Sequence, residues 1–182
     1  MSSRREKRAI APTQPVRPAP YTYRSANRED LEHIVEIYNS TIPSRIVTGD
    51  TEPVSVAARE AWFAEHNPLT RPLWVAEEGK LCVGWLSLSS FYGRPAYKAT
   101  VEVSLYVDQN HRRRGVGSYL LSEAISIAPR IGIETLLGFI FGHNQPSLSL
   151  FHGFGFTEWG CLPRVARMDG IERDVVILGR RV

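Results

Sequence analysis

Residues 101–121 read VEVSLYVDQNHRRRGVGSYLL. Over the first seven positions apolar residues alternate with a glutamate, a serine and a tyrosine, which is the period of a strand with two unlike faces. The turn-forming residues Asp108 to Asn110 interrupt the alternation, and after Gly117 apolar residues recur at helical spacing. The sequence therefore predicts a strand, a short basic loop with two glycines, and a helix.

The predicted loop has the features of an anion-binding site. Gly115 and Gly117 carry no Cβ, so a ligand can approach the backbone closely. The first N–H groups of the helix have no intrahelical partner and lie at the positive end of its dipole. Arg112 to Arg114 stand beside them, so we expect diphosphate as the ligand. The residues of a P-loop and of the dinucleotide motif G-x-G-x-x-G are missing. Taken alone, the segment fits a basic loop at an ordinary helix start equally well.

The remaining periodicities predict an α+β, or mixed α/β, domain with a largely antiparallel sheet. The expected order is a strand, two helices, three strands, a central helix, a strand, a short helix and a closing hairpin. Pro146 suits the first turn of the short helix, and Asp169-Gly170 suits the hairpin turn. Outside the central segment we predict strands at 21–24, 73–76, 81–91, 135–141, 156–167 and 174–178, and helices at 31–38, at 55–66 and from 146.

Length and composition predict one folded domain at residues 21–182, preceded by an arm at residues 1–20. The chain has 182 residues, of which 43% are hydrophobic, enough for one sizeable core. The arm is basic and proline-rich, so we expect it to be disordered. Cys82 and Cys161 lie in apolar surroundings and are predicted to be buried, reduced thiols of a cytoplasmic protein. We expect neither a membrane span nor a secretory signal, because no apolar run is long enough.

The positive charge of the chain is local. The net charge is +3, but residues 1–20 contribute about +4, which leaves about −1 for residues 21–182. A near-neutral body has no broad basic field to attract polyanions, which argues against a nucleic-acid-binding module. The arm itself is predicted to be a solvated tail, with a weak nucleic-acid arm as the alternative.

The loop and its surroundings resemble the GNAT superfamily of N-acetyltransferases. Arg112-x-x-Gly115-x-Gly117 fits the acyl-CoA loop of that family, and the strand, loop and helix follow in the family's order. The resemblance extends from about Tyr21 to the C-terminus and is closest to the phosphinothricin and methionine sulfone acetyltransferases. The residues that carry it are Ile37-Tyr38-Asn39, Trp62-Phe63, Arg94-Pro95-Ala96-Tyr97, Thr100-Val101-Glu102, and Asn144-Gln145-Pro146-Ser147 followed by Gly155-Phe156.

The resemblance implies the GNAT fold, a mixed and mostly antiparallel central sheet flanked by helices, with acetyl-CoA as cosubstrate. Backbone groups of the central strand would contact the pantetheine arm, and one N–H group would support the thioester oxygen. Asn144 would bind near the pantetheine or the diphosphate, although a plain turn asparagine is the alternative. The implied cofactor-binding residues are Leu105, Tyr106, Val107, Arg112, Arg113, Arg114, Gly115, Val116, Gly117, Ser118 and Asn144.

Glu102 is the candidate general base. Its strand neighbours Val101 and Val103 point to the opposite face, and a carboxylate in a central strand is costly unless it meets water, a partner or substrate. In the resembling enzymes the matching glutamate is the base, whereas an outward-facing glutamate paired with a basic side chain is the alternative. The sequence shows no metal-ligand spacing and no Ser-His-Asp or Cys-His pattern. It therefore predicts no metal and favours direct attack of an amine on the thioester within a ternary complex.

Two loops are implied to hold the amine substrate. Arg94 can bind an acidic group through two parallel hydrogen bonds, and the resemblance places Tyr97 in the same site. The loop from Thr41 to Asp50 lines the pocket in the resembling enzymes, which puts Arg45 and Thr48 near substrate. An exposed loop arginine and a plain connection between helices are the alternatives for the two loops.

Phe151 departs from the family pattern. Related enzymes place a histidine or a tyrosine acid at this position, and a phenylalanine can do neither job. His152 follows it, but adjacent residues of a helix point about 100° apart. We therefore assign no general acid, since the thiolate of coenzyme A can leave with only solvent as its proton source.

The sequence thus predicts an acetyl-CoA-dependent N-acetyltransferase acting on the α-amine of a small amino-acid analogue such as phosphinothricin, methionine sulfoximine or methionine sulfone. Acetylation of protein N-termini or polyamines is the alternative within enzymes, and a polyamine would require an acidic pocket. By analogy with related enzymes we expect a homodimer. A non-catalytic nucleic-acid-binding module is the rival from another class.

Overall fold

A seven-stranded sheet organises the computed structural model of the chain, which describes residues 20–182. The strand order is β1-β2-β3-β4-β5-β7-β6. Strands β4 and β5 run parallel, and every other neighbouring pair is antiparallel. The strands are β1 (Thr22–Ser25), β2 (Leu73–Glu78), β3 (Leu81–Ser90), β4 (Thr100–Val107), β5 (Thr135–Phe141), β6 (Thr157–Met168) and β7 (Ile171–Arg181).

Within residues 20–182, four α-helices cover the sheet in two layers. Buried residues of α1 (Leu31–Asn39) pack with Val75 and Trp85 on one face, and α2 (Val56–Ala64) adds partly buried apolar side chains there. The other face packs against α3 (Val116–Ile127) and α4 (Gln145–Gly153) and holds the larger core cluster. The predicted GNAT architecture, a mixed and mostly antiparallel sheet flanked by helices, is confirmed.

Strand β4 has the two unlike faces that its alternation predicts. Val101 and Val103 are buried in the core beneath α3 and α4. Glu102 and Tyr106 therefore lie on the opposite face of the strand, the face that α1 covers, because successive side chains of a strand point to opposite sides. Tyr106 stacks on Trp85 of the neighbouring strand, with ring centroids 4.4 Å apart. The sheet thus presents a carboxylate and a phenol on one side of its central strand.

Gly84 lets strand β3 approach its neighbours closely. A Cβ at this position would lie 2.8 Å from the backbone oxygen of Tyr106 and 3.1 Å from Val116 Cγ1. The register between β2 and β3 shifts between Ala76 and Glu77, next to the Ala76–Gly84 pair. The missing side chain of Gly84 thus brings β4 and the start of α3 together.

Side-chain caps begin α2, α4 and the 3-10 turn that leads into α1. Asn27 and Asp30 form a capping box at the 3-10 turn before α1, Ser55 caps α2, and Asn144 caps α4. Helix α3 differs, because Gly115 stands at its N-cap in the left-handed region and no side chain in the described part of the chain caps it. Its first N–H groups are thus left without an intrahelical or side-chain partner.

The structure corrects the predicted element boundaries and the predicted burial of one cysteine. Element boundaries shift by a few residues, as with β7, which runs from Ile171 rather than from residue 174. Both cysteines are free, but the prediction that Cys161 is buried is wrong, because it is exposed on the edge strand β6. Burial raises the pKa of the Cys82 thiol to about 11, so that thiol stays protonated at neutral pH. The predicted disordered arm lies outside the described residues, apart from Pro20.

Between residues 20 and 182, no helix is both long and apolar enough to cross a membrane. The same part of the chain holds no group of three or more His, Cys, Asp or Glu side chains that could bind a metal ion.

Candidate active site

The site is created by the divergence of β4 from β5. The two parallel strands pair only where Thr100–Glu102 lie beside Thr135–Leu137. Beyond Glu102, residues 103–107 pair with β3 on one edge, and no strand within residues 20–182 pairs with them on the other. Unpaired backbone groups at a strand edge are ready to bind an extended ligand. Two adjoining cavities occupy the space between the diverging strands.

The first cavity, which we call the loop cleft, has a volume of about 450 Å³. It lies between the unpaired edge of β4, the basic loop and the beginning of α4. Ser44, Ile46 and Val47 line it from the loop after α1. Ten of the eleven predicted cofactor-binding residues line this cleft: Leu105, Tyr106, Val107, Arg112, Arg113, Gly115, Val116, Gly117, Ser118 and Asn144.

Backbone geometry makes the loop suitable for a diphosphate. Gly115 has a φ of +92°, a conformation that favours glycine, and α3 begins directly after it. Arg113, with a φ of +60°, is also left-handed, and Arg112 and Arg113 are both exposed at the cleft. The uncapped N-terminus of a helix next to two guanidinium groups offers N–H donors and positive charge to an anion.

Arg114 is the exception among the predicted cofactor-binding residues. Its Nη2 donates to Glu78 Oε1 at 3.0 Å, and its backbone oxygen accepts from the Tyr21 hydroxyl at 2.9 Å. The Arg114 side chain therefore ties the loop to the end of β2 and does not line the loop cleft.

Asn144 lies where the two cavities meet. Its side-chain oxygen accepts the backbone N–H of Ser147 at 3.2 Å, which caps α4 and fixes the orientation of the amide. The Nδ2 group makes no hydrogen bond to a residue of the described chain, and Asn144 is only 5% exposed. A fixed amide with a free donor can bind a carbonyl or phosphate oxygen.

The second cavity, which we call the Glu102 cavity, has a volume of about 270 Å³. Thr48, Phe139 and Phe151 line it together with Glu102 and Tyr106. The Glu102 carboxylate has no hydrogen-bond or ion-pair partner anywhere in residues 20–182, and burial raises its pKa above the ordinary value for glutamate. Of the two sequence-based readings of Glu102, the geometry agrees with a carboxylate facing a cavity rather than one paired with a basic neighbour.

The side chain of Tyr106 lines the site, a role that the sequence analysis did not predict. Burial, with a smaller effect from nearby Tyr38, raises the pKa of its phenol well above the usual range. The sequence reading assigned only its backbone a role. The sequence does indicate this role, because Tyr106 follows Glu102 by four residues and its side chain therefore shares the same face of the strand.

Phe151 offers no proton to this site. Its ring is buried against Phe156 at 4.8 Å between centroids, and it fills the space that a Cβ on Gly138 would need. His152 is exposed and its Nδ1 lies 3.1 Å from the Phe156 oxygen, so it does not line either cavity. Neither Phe151 nor His152 is therefore placed to act as a general acid in this site.

Arg94 and Tyr97 lie outside both cavities. Arg94 stands at the start of an exposed 3-10 turn, and Tyr97 is 40% exposed. Tyr97 packs on Phe91 at 5.4 Å between centroids, and Phe91 stacks on Phe139 of the Glu102 cavity at 6.3 Å. The structure thus brings Thr48 to Glu102 but leaves Arg94 and Tyr97 beyond the cavity rim. Arg45 does not line either cavity, and its Nε donates to Asp169 Oδ2 at 2.8 Å.

Comparisons with known proteins identify the family. Residues 31–156 match the model of the acetyltransferase (GNAT) family. YwnH of Bacillus subtilis, provisionally named a phosphinothricin acetyltransferase, is 56% identical over 162 residues, covering 88% of this chain and 99% of YwnH. A methionine sulfoximine/methionine sulfone acetyltransferase of Salmonella typhimurium is 32% identical over 157 residues, covering 86% of this chain and 92% of the relative.

A solved structure agrees with these relatives. The GNAT superfamily phosphinothricin acetyltransferase of Sinorhizobium meliloti, crystallised with acetyl-CoA, superimposes with a TM-score of 0.84 at 28% identity. The match covers 90% of this chain and 89% of that protein. The chain therefore belongs to the GNAT acetyltransferase family and is an N-acetyltransferase.

Proposed function

We propose that the chain transfers the acetyl group of acetyl-CoA to the α-amine of a small amino-acid analogue of the phosphinothricin, methionine sulfoximine or methionine sulfone class. The names of the relatives support this substrate class. The observation that carries the proposal is the unpaired, half-buried Glu102 carboxylate in a cavity that adjoins the loop cleft. The two cavities share Leu105, Tyr106 and Asn144 among their walls.

The loop cleft fits acetyl-CoA in its chemistry. The start of α3, with Arg112 and Arg113, would hold the diphosphate, and the free edge of β4 at residues 105–107 would hold the pantetheine arm. Asn144 would hydrogen-bond the arm where the cavities meet. Bound acetyl-CoA supplies an activated acyl group, and the protein residues orient the amine and manage its proton.

Glu102 would act as the general base, either directly or through one water. As the amine nitrogen bonds to the acyl carbon and the carbon–sulfur bond breaks, one amine proton passes to Glu102 and coenzyme A leaves as a thiolate. The thiolate then takes a proton from solvent, because Phe151 cannot supply one. A raised pKa brings a carboxylate closer to the pH at which a general base is most effective. Transfer within a ternary complex requires no covalent enzyme intermediate.

The acidic end of the substrate would bind outside the Glu102 cavity. Arg94 and Tyr97 remain our proposed contacts, although both lie on the exposed turn beyond Phe139. A substrate whose amine reaches Glu102 would have to extend toward this rim. By analogy with related enzymes, we also propose that the protein is a cytoplasmic homodimer.

Initial-velocity kinetics test the mechanism. With acetyl-CoA and methionine sulfone varied together, direct transfer in a ternary complex predicts intersecting double-reciprocal lines, and mass spectrometry should show one acetyl group on the α-nitrogen. Parallel lines, together with an acetylated enzyme detected by mass spectrometry in the absence of amine, would contradict the mechanism.

A further inference from the structure

A third cavity lies between the sheet and helices α1 and α2, and the proposed mechanism does not use it. It has a volume of about 200 Å³, and we call it the aromatic cavity. Four aromatic rings, one guanidinium and one hydroxyl contribute to its walls, and they belong to Tyr38, Trp62, Trp85, Tyr106, Arg59 and Ser104. Ser104 and Tyr106 also line the Glu102 cavity, so the two cavities adjoin.

The aromatic walls of this cavity are fixed by their own contacts. Tyr106 stacks on Trp85 with ring centroids 4.4 Å apart, and Trp62 meets Trp85 edge-on at 5.6 Å. The indole Nε1 of Trp85 donates to the Ile34 oxygen at 3.1 Å, which satisfies the polar atom of that ring. The rings therefore offer a rigid apolar surface to a methyl or methylene group.

Arg59 brings unused hydrogen-bond donors to the cavity. Its Nη2 donates to Asp50 Oδ2 at 3.0 Å, and its Cζ lies 4.5 Å from the centroid of the Tyr38 ring. These two contacts hold the guanidinium in place and balance its charge. Within residues 20–182, Asp50 is the only acceptor of a hydrogen bond from Arg59, whereas a guanidinium carries five N–H donors. Arg59 can therefore also donate to an oxygen of a ligand in the cavity.

Ser104 supplies a hydroxyl at the boundary between the two cavities. Its side chain makes no hydrogen bond to a described residue, and it lines both cavities. Ser87 lies directly opposite on β3, and its buried Oγ has no partner in the described part of the chain. Buried hydroxyls are normally hydrogen-bonded, so this part of the sheet has unmet hydrogen-bonding capacity.

The spacing along β4 matches the length of the proposed substrate. Glu102 and Ser104 are two residues apart on one face of the strand, a separation of about 6.7 Å. In methionine sulfone four bonds separate the amine nitrogen from the sulfur, so an extended chain spans roughly 5 Å between them, and the sulfone oxygens reach further. An amine at Glu102 thus brings the sulfone to Ser104. The aromatic cavity is smaller than the pockets of about 300–1,000 Å³ that hold whole small ligands, so it suits a terminal group.

We infer that the aromatic cavity is the subsite for the distal end of the substrate side chain, the methyl-bearing sulfone, sulfoximine or phosphinate. Arg59 and Ser104 donate to its oxygens, and the methyl group packs on the aromatic walls. This inference rests on the proposed function and leaves the α-carboxylate at the rim. Free methionine has the same chain without oxygens on the sulfur, so it would leave both donors unpaired. A site built to hydrogen-bond a substrate group discriminates against the analogue that lacks it.

Steady-state kinetics with methionine sulfone and methionine as paired substrates test the subsite. The wild-type kcat/KM should be much higher for the sulfone. Ser104→Ala and Arg59→Lys should each lower the ratio of the two kcat/KM values by about 10-fold, the size of one hydrogen bond to a strongly polar group. The lysine keeps a charge beside Asp50 but lacks the planar fork. Arg28→Lys is the matched control, because Arg28 also pairs with a carboxylate, that of Glu60, and lines none of the three cavities.

A second measurement uses only the wild-type protein and so remains decisive if a variant fails to fold. Calorimetry on the protein saturated with coenzyme A compares methionine sulfone with S-methylcysteine sulfone, which is one methylene shorter. The shorter sulfone cannot place its amine at Glu102 and its oxygens in the aromatic cavity together, so it should bind about 10-fold more weakly. Equal affinities would contradict the spacing argument.

The outcomes separate the inference from the proposed function. An unchanged substrate ratio in both variants, or equal losses with the two substrates, would overturn the subsite while leaving the N-acetyltransferase activity in place. Absence of any methionine sulfone turnover in the wild-type protein would instead refute the proposed substrate class, and the inference with it.

Discussion

Glu102 combines a structural cost with a chemical use. The carboxylate lies between two buried valines of β4 and has no partner among residues 20–182. Burial without a partner disfavours the ionised form, which is the form that a general base needs. The buried carboxylate of Glu102 therefore destabilises the folded state at neutral pH. The same burial raises its pKa and so makes it a more effective base.

Glu102→Gln should separate these two effects. Because burial raises the pKa of Glu102 in the folded state above its value in the unfolded chain, Glu102 supports folding most below the unfolded pKa and loses that support as pH rises through the folded pKa. At pH 7 the variant should therefore have an equal or higher Tm, while kcat falls by about 10²- to 10⁴-fold, the usual contribution of a general base. Thermal melts and steady-state kinetics measure both quantities.

The pH dependence supplies the control for this prediction. Wild-type kcat should decline on the acidic side with an apparent pKa above that of an ordinary glutamate, and the decline should vanish in Glu102→Gln. The KM for acetyl-CoA should stay the same in both proteins. An unchanged kcat and pH profile would remove Glu102 from the mechanism.

The three arginines of the basic loop between β4 and α3 face different parts of the structure. Arg112 and Arg113 reach the loop cleft, whereas Arg114 pairs with Glu78 at the end of β2. Sequence reasoning treated the three as equivalent, because nothing in the run Arg112-Arg113-Arg114 distinguishes a side chain that faces a ligand from one that faces a carboxylate 36 positions away.

Alanine variants of the loop test this division. Arg112→Ala should raise the KM for acetyl-CoA by about 10-fold, since it removes a cation at the expected diphosphate, and the effect should shrink at high salt. Arg114→Ala should change that KM much less, because the side chain lies away from the cleft. Steady-state kinetics at two ionic strengths make the comparison, and equal effects of the two variants would contradict the assignment.

Because Gly84 has no side chain, β3 can pack closely against β4 and the start of α3. In Gly84→Ala the new Cβ would meet the Tyr106 oxygen at 2.8 Å, and neither β4 nor α3 can move away without disturbing the cleft. We expect a loss of about 1–3 kcal/mol in unfolding free energy, the usual cost of overpacking. Gly153→Ala is the matched control, because nothing lies within 4 Å of its Cβ position and α4 should gain from the alanine. Chemical denaturation of both variants measures the difference.

At the scale of the whole molecule, the site lies where the parallel strands β4 and β5 stop pairing. The alternation of β4 predicted the strand, and the glycines of the loop predicted the anion site, because both depend on neighbouring residues. The divergence of β4 from β5 and the pairing of Arg114 with Glu78 depend on residues that only the tertiary fold brings together. Sequence reasoning therefore placed Glu102 correctly on its strand face but could not see that Arg94 and Tyr97 lie outside the cavity.

Removal of residues 1–20 tests the predicted division of the chain. All described strands and helices begin at or after Thr22, and Tyr21 is the first residue buried in the core. A protein starting at Tyr21 should therefore keep the kcat, both KM values and the Tm of the full chain. A large fall in any of them would show that the arm contributes to the fold or to the site.

Light scattering tests the proposed homodimer. One chain has a mass of 20.5 kDa, so a dimer should give about 41 kDa over a range of protein concentrations. A mass that stays near that of one chain at high concentration would contradict the analogy with related enzymes.

Continuous detection of thiol release from acetyl-CoA tests the central claim most directly. The assay compares phosphinothricin, methionine sulfoximine and methionine sulfone with free methionine and spermidine. We predict rapid release with the phosphinate, sulfoximine and sulfone, and little with methionine or the polyamine. Release with spermidine alone, or no release with any of these amines while acetyl-CoA still binds, would contradict the proposed substrate class.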